Sequence, residues 1–132
     1  MLARLTDGLE FHSQALALRA ERQRVIASNI ANADTPGFQA RDFDFAAALR
    51  AASGGGDAGS SIARDVMGQG GTPAPVLRYA VPSQTSLDSN SVDMDRERSA
   101  VVDNSIKYES TLRFINASVR TTLDAMKSYH QA

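Results

Sequence analysis

The sequence predicts a mainly α protein: two long helices near its N- and C-terminal ends, pairing as a coiled-coil-like hairpin. Between them lies an irregular Gly- and Pro-rich middle carrying at most short β segments. Three observations predict this. Apolar residues recur at alternating steps of three and four over residues 1–34 and again over 93–130. Seven of the nine glycines fall within 53–71, and three of the four prolines within 73–82. Large side chains are scarce, with 21 alanines against five Phe, three Tyr and no Trp. Large apolar groups carry most of the burial energy, about 1.5–3 kcal/mol each, so a chain of 132 residues with few of them builds a thin core. Such a chain needs a partner, or copies of itself, to finish burying its apolar surface.

The first segment, 1–34, reads as helix. One seam runs Leu2, Leu5, Leu9, His12, Leu16, Arg19, Gln23, Ile26, Ile30, and a second runs Phe11, Ala15, Leu18, Arg22, Val25. The stripe is broken in the middle by Arg19, Arg22 and Gln23. Gly8 weakens the first turns and sets the expected start of the solid helix near Leu9. Thr35-Pro36-Gly37-Phe38 places Pro at i+1 and Gly at i+2, as a type II turn requires, and stops the helix. The second segment, 35–52, holds this turn, an extended stretch in which Phe43 and Phe45 share one face, and a short helix over 46–52. The third, 53–92, is flexible, and 76–81 is its one strand candidate. In the fourth, 93–130, Asp93 is the expected N-cap, with Asp95 and Glu97 at the positive end of the helix dipole. Its seam is Met94, Val101, Tyr108, Leu112, Ile115, Val119, Met126 and Tyr129. A periodic run of this length points to a coiled coil. Polar breaks in both seams fix register or partner choice.

Composition excludes several classes. Fourteen basic and fifteen acidic residues leave a net charge of −1, with no electrostatic footprint for nucleic acid or an anionic membrane. Without cysteine there is no disulfide or thiolate metal site. Residues 1–10 lack the basic and apolar regions of a Sec-type signal peptide. No apolar run is long enough to span a membrane. The two histidines, His12 and His130, stand alone, His12 on an apolar seam and His130 near the end. The pairs Asp42/Asp44 and Asp93/Asp95 fit a solvated turn and a helix start better than a cation site. No phosphate loop, metal-ligand cluster or nucleophile elbow occurs. The expectation is a non-enzyme without cofactors.

Residues 28–38, Ser-Asn-Ile-Ala-Asn-Ala-Asp-Thr-Pro-Gly-Phe, carry the strongest signal. They resemble the N-terminal signature of bacterial flagellar rod and hook proteins: an Asn-Ile-Ala-Asn core, then a Thr-Pro-Gly-aromatic turn. Ala31 and Ala33 keep the helix slim, while Asn29 and Asn32 offer amides to neighbouring backbones or subunits. Asp34 and the run 39–45 are similar to the proximal rod branch of that family, and the opening Val92-Asp93-Met94-Asp95-Arg96-Glu97 is similar both to that branch and to its rod relatives. The C-terminal end lacks the Ser-Tyr-Gln-Ala-Asn type ending of other rod and hook proteins. The resemblance does not cover 53–71, which looks like an insertion.

That resemblance implies a subunit that self-assembles helically in the basal-body rod in the periplasmic space, transmits torque and lines an export channel. It implies export by the flagellar type III apparatus. It implies as neighbours other rod proteins, basal-body adaptor and export-gate proteins, and the MS-ring protein. Contacts along Leu16, Ile26, Ile30, Tyr108, Leu112, Ile115 and Val119 are expected to bury apolar surface within and between subunits. Asn29, Asn32, Pro36, Gly37 and Phe38 form the signature part of that assembly site. Phe45-Ala46-Ala47-Ala48-Leu49 fits the family's export-gate spacing of Phe, three residues, then an apolar residue. Alternatively, Phe45 and Leu49 simply share a helical face. Rival readings are another flagellar axial protein, or a soluble coiled-coil adaptor or chaperone.

Overall fold

The structure, a computed structural model, describes residues 2–54, 75–81 and 87–130. Five elements follow in order: α1 (Leu2–Ala31), β1 (Arg41–Asp42), α2 (Phe45–Ala52), β2 (Arg78–Tyr79) and α3 (Met94–His130). The glycine-rich stretch expected to be flexible lies mostly outside the described residues, as do the side chains of Leu2, Leu5 and His130.

α1 and α3 form an antiparallel hairpin. Gln23 of α1 meets Asn104 of α3, Asn29 meets Glu97, and the His12 ring stacks on Phe114 with centroids 5.8 Å apart. Helices of 30 and 37 residues span about 45 and 55 Å at 1.5 Å per residue. α1 is helical from Leu2, earlier than Gly8 suggests. One glycine costs only about 1 kcal/mol in a helix interior, too little to stop a helix that packs along its length.

The apolar core lies on one side of α1. Leu18 and Val25, two turns apart, pack with Phe43 and Ala52, and Phe45, Ala48 and Leu49 of α2 close over them. The second seam of the sequence therefore faces α2. The extended stretch is shorter than expected. Asp44 accepts from the Ala47 backbone N–H at 3.1 Å and caps α2, so Phe45 opens a helix instead of ending a strand. Only Arg41–Asp42 and Arg78–Tyr79 pair, antiparallel, as a two-residue ladder.

The seam of α3 is also turned from its expected orientation. The α3 residues buried against α1 are Glu97, Asn104 and Thr111, seven apart and all polar. Tyr108 and Ile115 are half-buried beside them, while Leu112, Val119, Met126 and Tyr129 are exposed. Three- and four-residue spacing finds a stripe but not which edge of it meets the partner helix.

Candidate functional site

Two parts of the molecule are candidates for function: a polar clamp at the closed end of the hairpin and open apolar faces along it.

The clamp is built from the signature. Thr35 to Phe38 form the type II turn, with Gly37 at φ +73° and the Phe38 N–H donating to the Thr35 carbonyl at 3.2 Å. Any side chain at Gly37 would meet no neighbour, so glycine is required there by its left-handed backbone and not by space. The chain just before α3 grips this turn. The Gly37 N–H donates to the Asp88 carbonyl at 2.8 Å, and the Ser91 N–H to the Phe38 carbonyl at 3.0 Å.

Three asparagines finish the clamp. Asn29 uses both ends of its amide on Arg41, donating to the carbonyl at 2.8 Å and accepting from the N–H at 3.0 Å. It thereby acts as an extra residue of β-ladder, fastening β1 to α1. Asn32 donates to the Ser28 carbonyl one turn back at 2.8 Å, and its carbonyl oxygen accepts from the Thr35 hydroxyl. Asn90 reaches across the chain: its amide nitrogen lies 2.8–2.9 Å from the carbonyls of Asn32, Ala33 and Thr35. These carbonyls belong to the turn that follows α1, where those of Asn32 and Thr35 also accept from the Thr35 and Phe38 N–H groups, so Asn90 ties that turn to the distant segment before α3. Its own oxygen accepts from the Val92 N–H at 2.8 Å. Asp93 then caps α3, accepting from the backbone of Asp95 and Arg96 at 3.1 and 3.2 Å.

A charged layer sits beneath the clamp. Burial pushes the Glu97 carboxyl above its ordinary range, a push that the Asn29 hydrogen bond partly offsets and nearby Asp42 strengthens. Arg22 lies 3.6 Å from Asp42. The Arg19 guanidinium lies 4.2 Å above the Phe45 ring. Burial first, then the Arg22 charge, lower its pKa, while Asp103 acts in the opposite sense.

The expected assembly residues separate into two groups. Asn29, Asn32, Pro36, Gly37 and Phe38 come together in the clamp, and Ile26 is buried and Ile30 half-buried on the same helix. Leu16, Tyr108 and Ile115 are half-buried along the hairpin, and Leu112 and Val119 stand 38% and 39% exposed. Phe45 and Leu49 share one face of α2, turned onto the core. Sequence reasoning missed Asn90 and Asn104. Asn104 had a signal, the polar heptad Glu97–Asn104–Thr111. Asn90 had none, because its partners lie more than fifty positions away.

The described residues contain no group of three or more His, Cys, Asp or Glu able to hold a metal, and no helix long and apolar enough to cross a membrane. A hairpin tied by backbone-capping asparagines, with apolar rows left on its surface, has the build of a structural subunit. The family model described as "Flagella basal body rod protein" matches residues 9–39, the stretch from the α1 seam to the turn. "Flagellar basal body rod protein FlgB" of Proteus mirabilis (strain HI4320) is 44% identical over 135 residues, covering 96% of this chain and 98% of its own. The protein of that name from Escherichia coli (strain K12) is 43% identical over 136 residues, 97% and 99% of the two chains. That from Cereibacter sphaeroides is 38% identical over 121 residues, 92% and 94%. The chain belongs to the FlgB family of flagellar basal body rod proteins. It is a structural subunit of the rod, in a family that is not one of enzymes.

Proposed function

We propose that this chain polymerises with copies of itself and with neighbouring basal-body components into a helical rod segment that lines an export channel and carries torque. The observation that supports this most is the row left open at the far end of the hairpin. Leu112, Val119, Leu123 and Met126 are 38%, 39%, 50% and 51% exposed along one face of α3. Exposed apolar residues grouped along one element mark an interaction surface. Each subunit offers different faces to its neighbours, since an open helical polymer needs heterologous contacts. Other rod proteins, adaptor and export-gate proteins and the membrane ring are the proposed neighbours. The proposed role is structural, and His12, edge-on to Phe11 and stacked on Phe114, packs within the hairpin in keeping with it.

Quantitative mass spectrometry of detergent-purified hook–basal bodies tests the reading. A near-constant ratio of this chain to other rod subunits is expected, and reproducible absence from intact basal bodies would refute it.

Phe45 and Leu49 are proposed to serve twice: as the export-gate signal while the chain is unfolded, and as a core face of α2 afterwards. Phe45→Ala is expected to abolish secretion. Normal secretion with failed assembly would leave Phe45 only its packing role.

A further inference from the structure

The small sheet has two edges, and the chain closes one of them. The Ala80 N–H donates to the Ala40 carbonyl at 2.8 Å, so 40/80 is a hydrogen-bonded pair and Arg41/Tyr79, next in the register, is not. The N–H and C=O groups of such a pair point away from the partner strand. On the β1 side, both groups of Arg41 are taken by the Asn29 amide. On the β2 side, nothing among the described residues bonds to the N–H or C=O of Tyr79. β1 is enclosed, and β2 is an edge strand with its backbone open.

This edge lacks most of the devices that usually blunt one. Residues 76–81 contain neither Gly nor Pro, and Arg78 is their only charge. Val76, Leu77, Tyr79 and Val81 are 77%, 41%, 68% and 81% exposed. Such β-branched, aliphatic and aromatic side chains suit a pleated surface that is half covered. A two-stranded ladder is marginal by itself, and a third strand strengthens it.

Charge selects the incoming strand. Arg41 and Tyr79 face each other across the ladder, and the guanidinium lies 5.7 Å from the ring centroid, which carries its charge toward the open edge. Among the described residues, Arg41 has no carboxylate within ion-pair distance. Nearby acids are committed elsewhere: Glu21 to Arg24 at 3.5 Å, Asp42 to Arg22 at 3.6 Å, and Asp44, which shares a hollow with Arg78, to the cap of α2. A strand beside β2 that brings a carboxylate over the Tyr79 ring supplies the missing partner. A second copy does not supply it. Its β1 is enclosed, and its β2 carries arginine and no acid; two β2 edges would also close a twofold dimer that cannot extend.

We propose that the outer edge of β2 is the seat for an extended, acidic and apolar segment of a neighbouring basal-body protein, added to β1–β2 as a third strand. This rests on the polymerising role proposed above and names a surface by which a neighbour is held. Backbone bonds to Tyr79 give the register, and Arg41 chooses the sequence.

A photoreactive benzophenone side chain at position 81, a site 81% exposed in the monomer, tests this in purified hook–basal bodies. The expected product joins this chain to a different protein, within a segment that carries Asp or Glu. Tyr79→Pro removes the outward N–H and leaves the Ala80 bond to β1 in place. It is expected to cut the crosslink about tenfold, as losing one hydrogen bond of roughly 1.4 kcal/mol would, while Tyr79→Ala keeps the N–H and most of the yield. Arg41→Glu leaves every backbone bond in place and is expected to cut the yield as far as Tyr79→Pro, with the monomer's melting temperature held. With the chain present in its normal ratio, no crosslink, a crosslink to a second copy, or equal yields from Tyr79→Pro and Tyr79→Ala would overturn the proposal. An Arg41→Glu yield equal to the parent's would overturn the acidic occupant. Absence of the chain from basal bodies would instead defeat the polymerising role itself.

Discussion

The two ends of the hairpin are built from opposite materials. At the closed end, residues 18–52 and 88–104 hold the apolar core and a dense set of polar ties, with Asn29, Asn90 and Ser91 all buried. At the open end, Phe11, Leu112, Phe114, Leu123, Met126 and Tyr129 remain between 38% and 82% exposed although the helices run on beside each other. The closed end spends directional hydrogen bonds to fix one conformation, and the open end keeps non-directional apolar area for neighbours. A subunit that must fold as a short chain and then join a larger assembly gains from that division.

Substitutions at the two ends should therefore differ most in where their effects appear. The largest effect on the monomer is expected from Phe43→Ala, which empties the centre of the core and should cost about 4 kcal/mol in urea unfolding. Asn90→Ala comes next. It removes the amide that holds three carbonyls of the turn after α1, and a loss of about 3 kcal/mol is expected. If it unfolds no more easily than the parent, the clamp is decoration and the contrast between the ends fails.

A smaller change, with a distinct signature, is expected from Glu97→Gln. The Glu97 carboxyl is raised from its unfolded value near 4.5, so between that value and the higher native pKa the native state holds a proton that the unfolded chain has lost. Stability attributable to this group is full below that range and falls as pH rises through the native pKa. Glutamine keeps an oxygen for the Asn29 amide and removes the charge. It should stabilise the protein at neutral pH and flatten the slope of stability with pH, measured by thermal unfolding from pH 4 to 8. The smallest effect on the monomer belongs to the open end. Leu123→Ala should stay within about 0.5 kcal/mol of the parent, yet reduce the amount of chain recovered in basal bodies. Loss of monomer stability without loss of incorporation would reverse the roles assigned to the two ends.

The contrast was only half legible in the sequence. The two helices, the turn and the caps at Asp93 and Thr35–Phe38 follow from local rules, because each signal and its partner lie within a few residues. Asn29 and Asn32 were readable as amide donors, but not the Arg41 backbone as the target of Asn29, which is twelve positions away. The α3 seam was found in spacing but misplaced in rotation. An alanine-rich α1 lets α3 approach on a polar row, and apolar periodicity is blind to such a row. Phe45 was assigned to a strand because aromatic alternation mimics one. The Asp44 cap, which opens a helix there, competes through a single hydrogen bond.

Hydrogen–deuterium exchange of the purified monomer tests the central claim most directly, since local opening free energies follow buried contacts and tied backbone. Amides of residues 18–42 and 90–104 should exchange slowest, and those of 2–12 and 114–130 orders of magnitude faster, slowing only in assembled basal bodies. Uniform protection along both helices in the monomer would contradict the account, because the open end would then be complete without its neighbours.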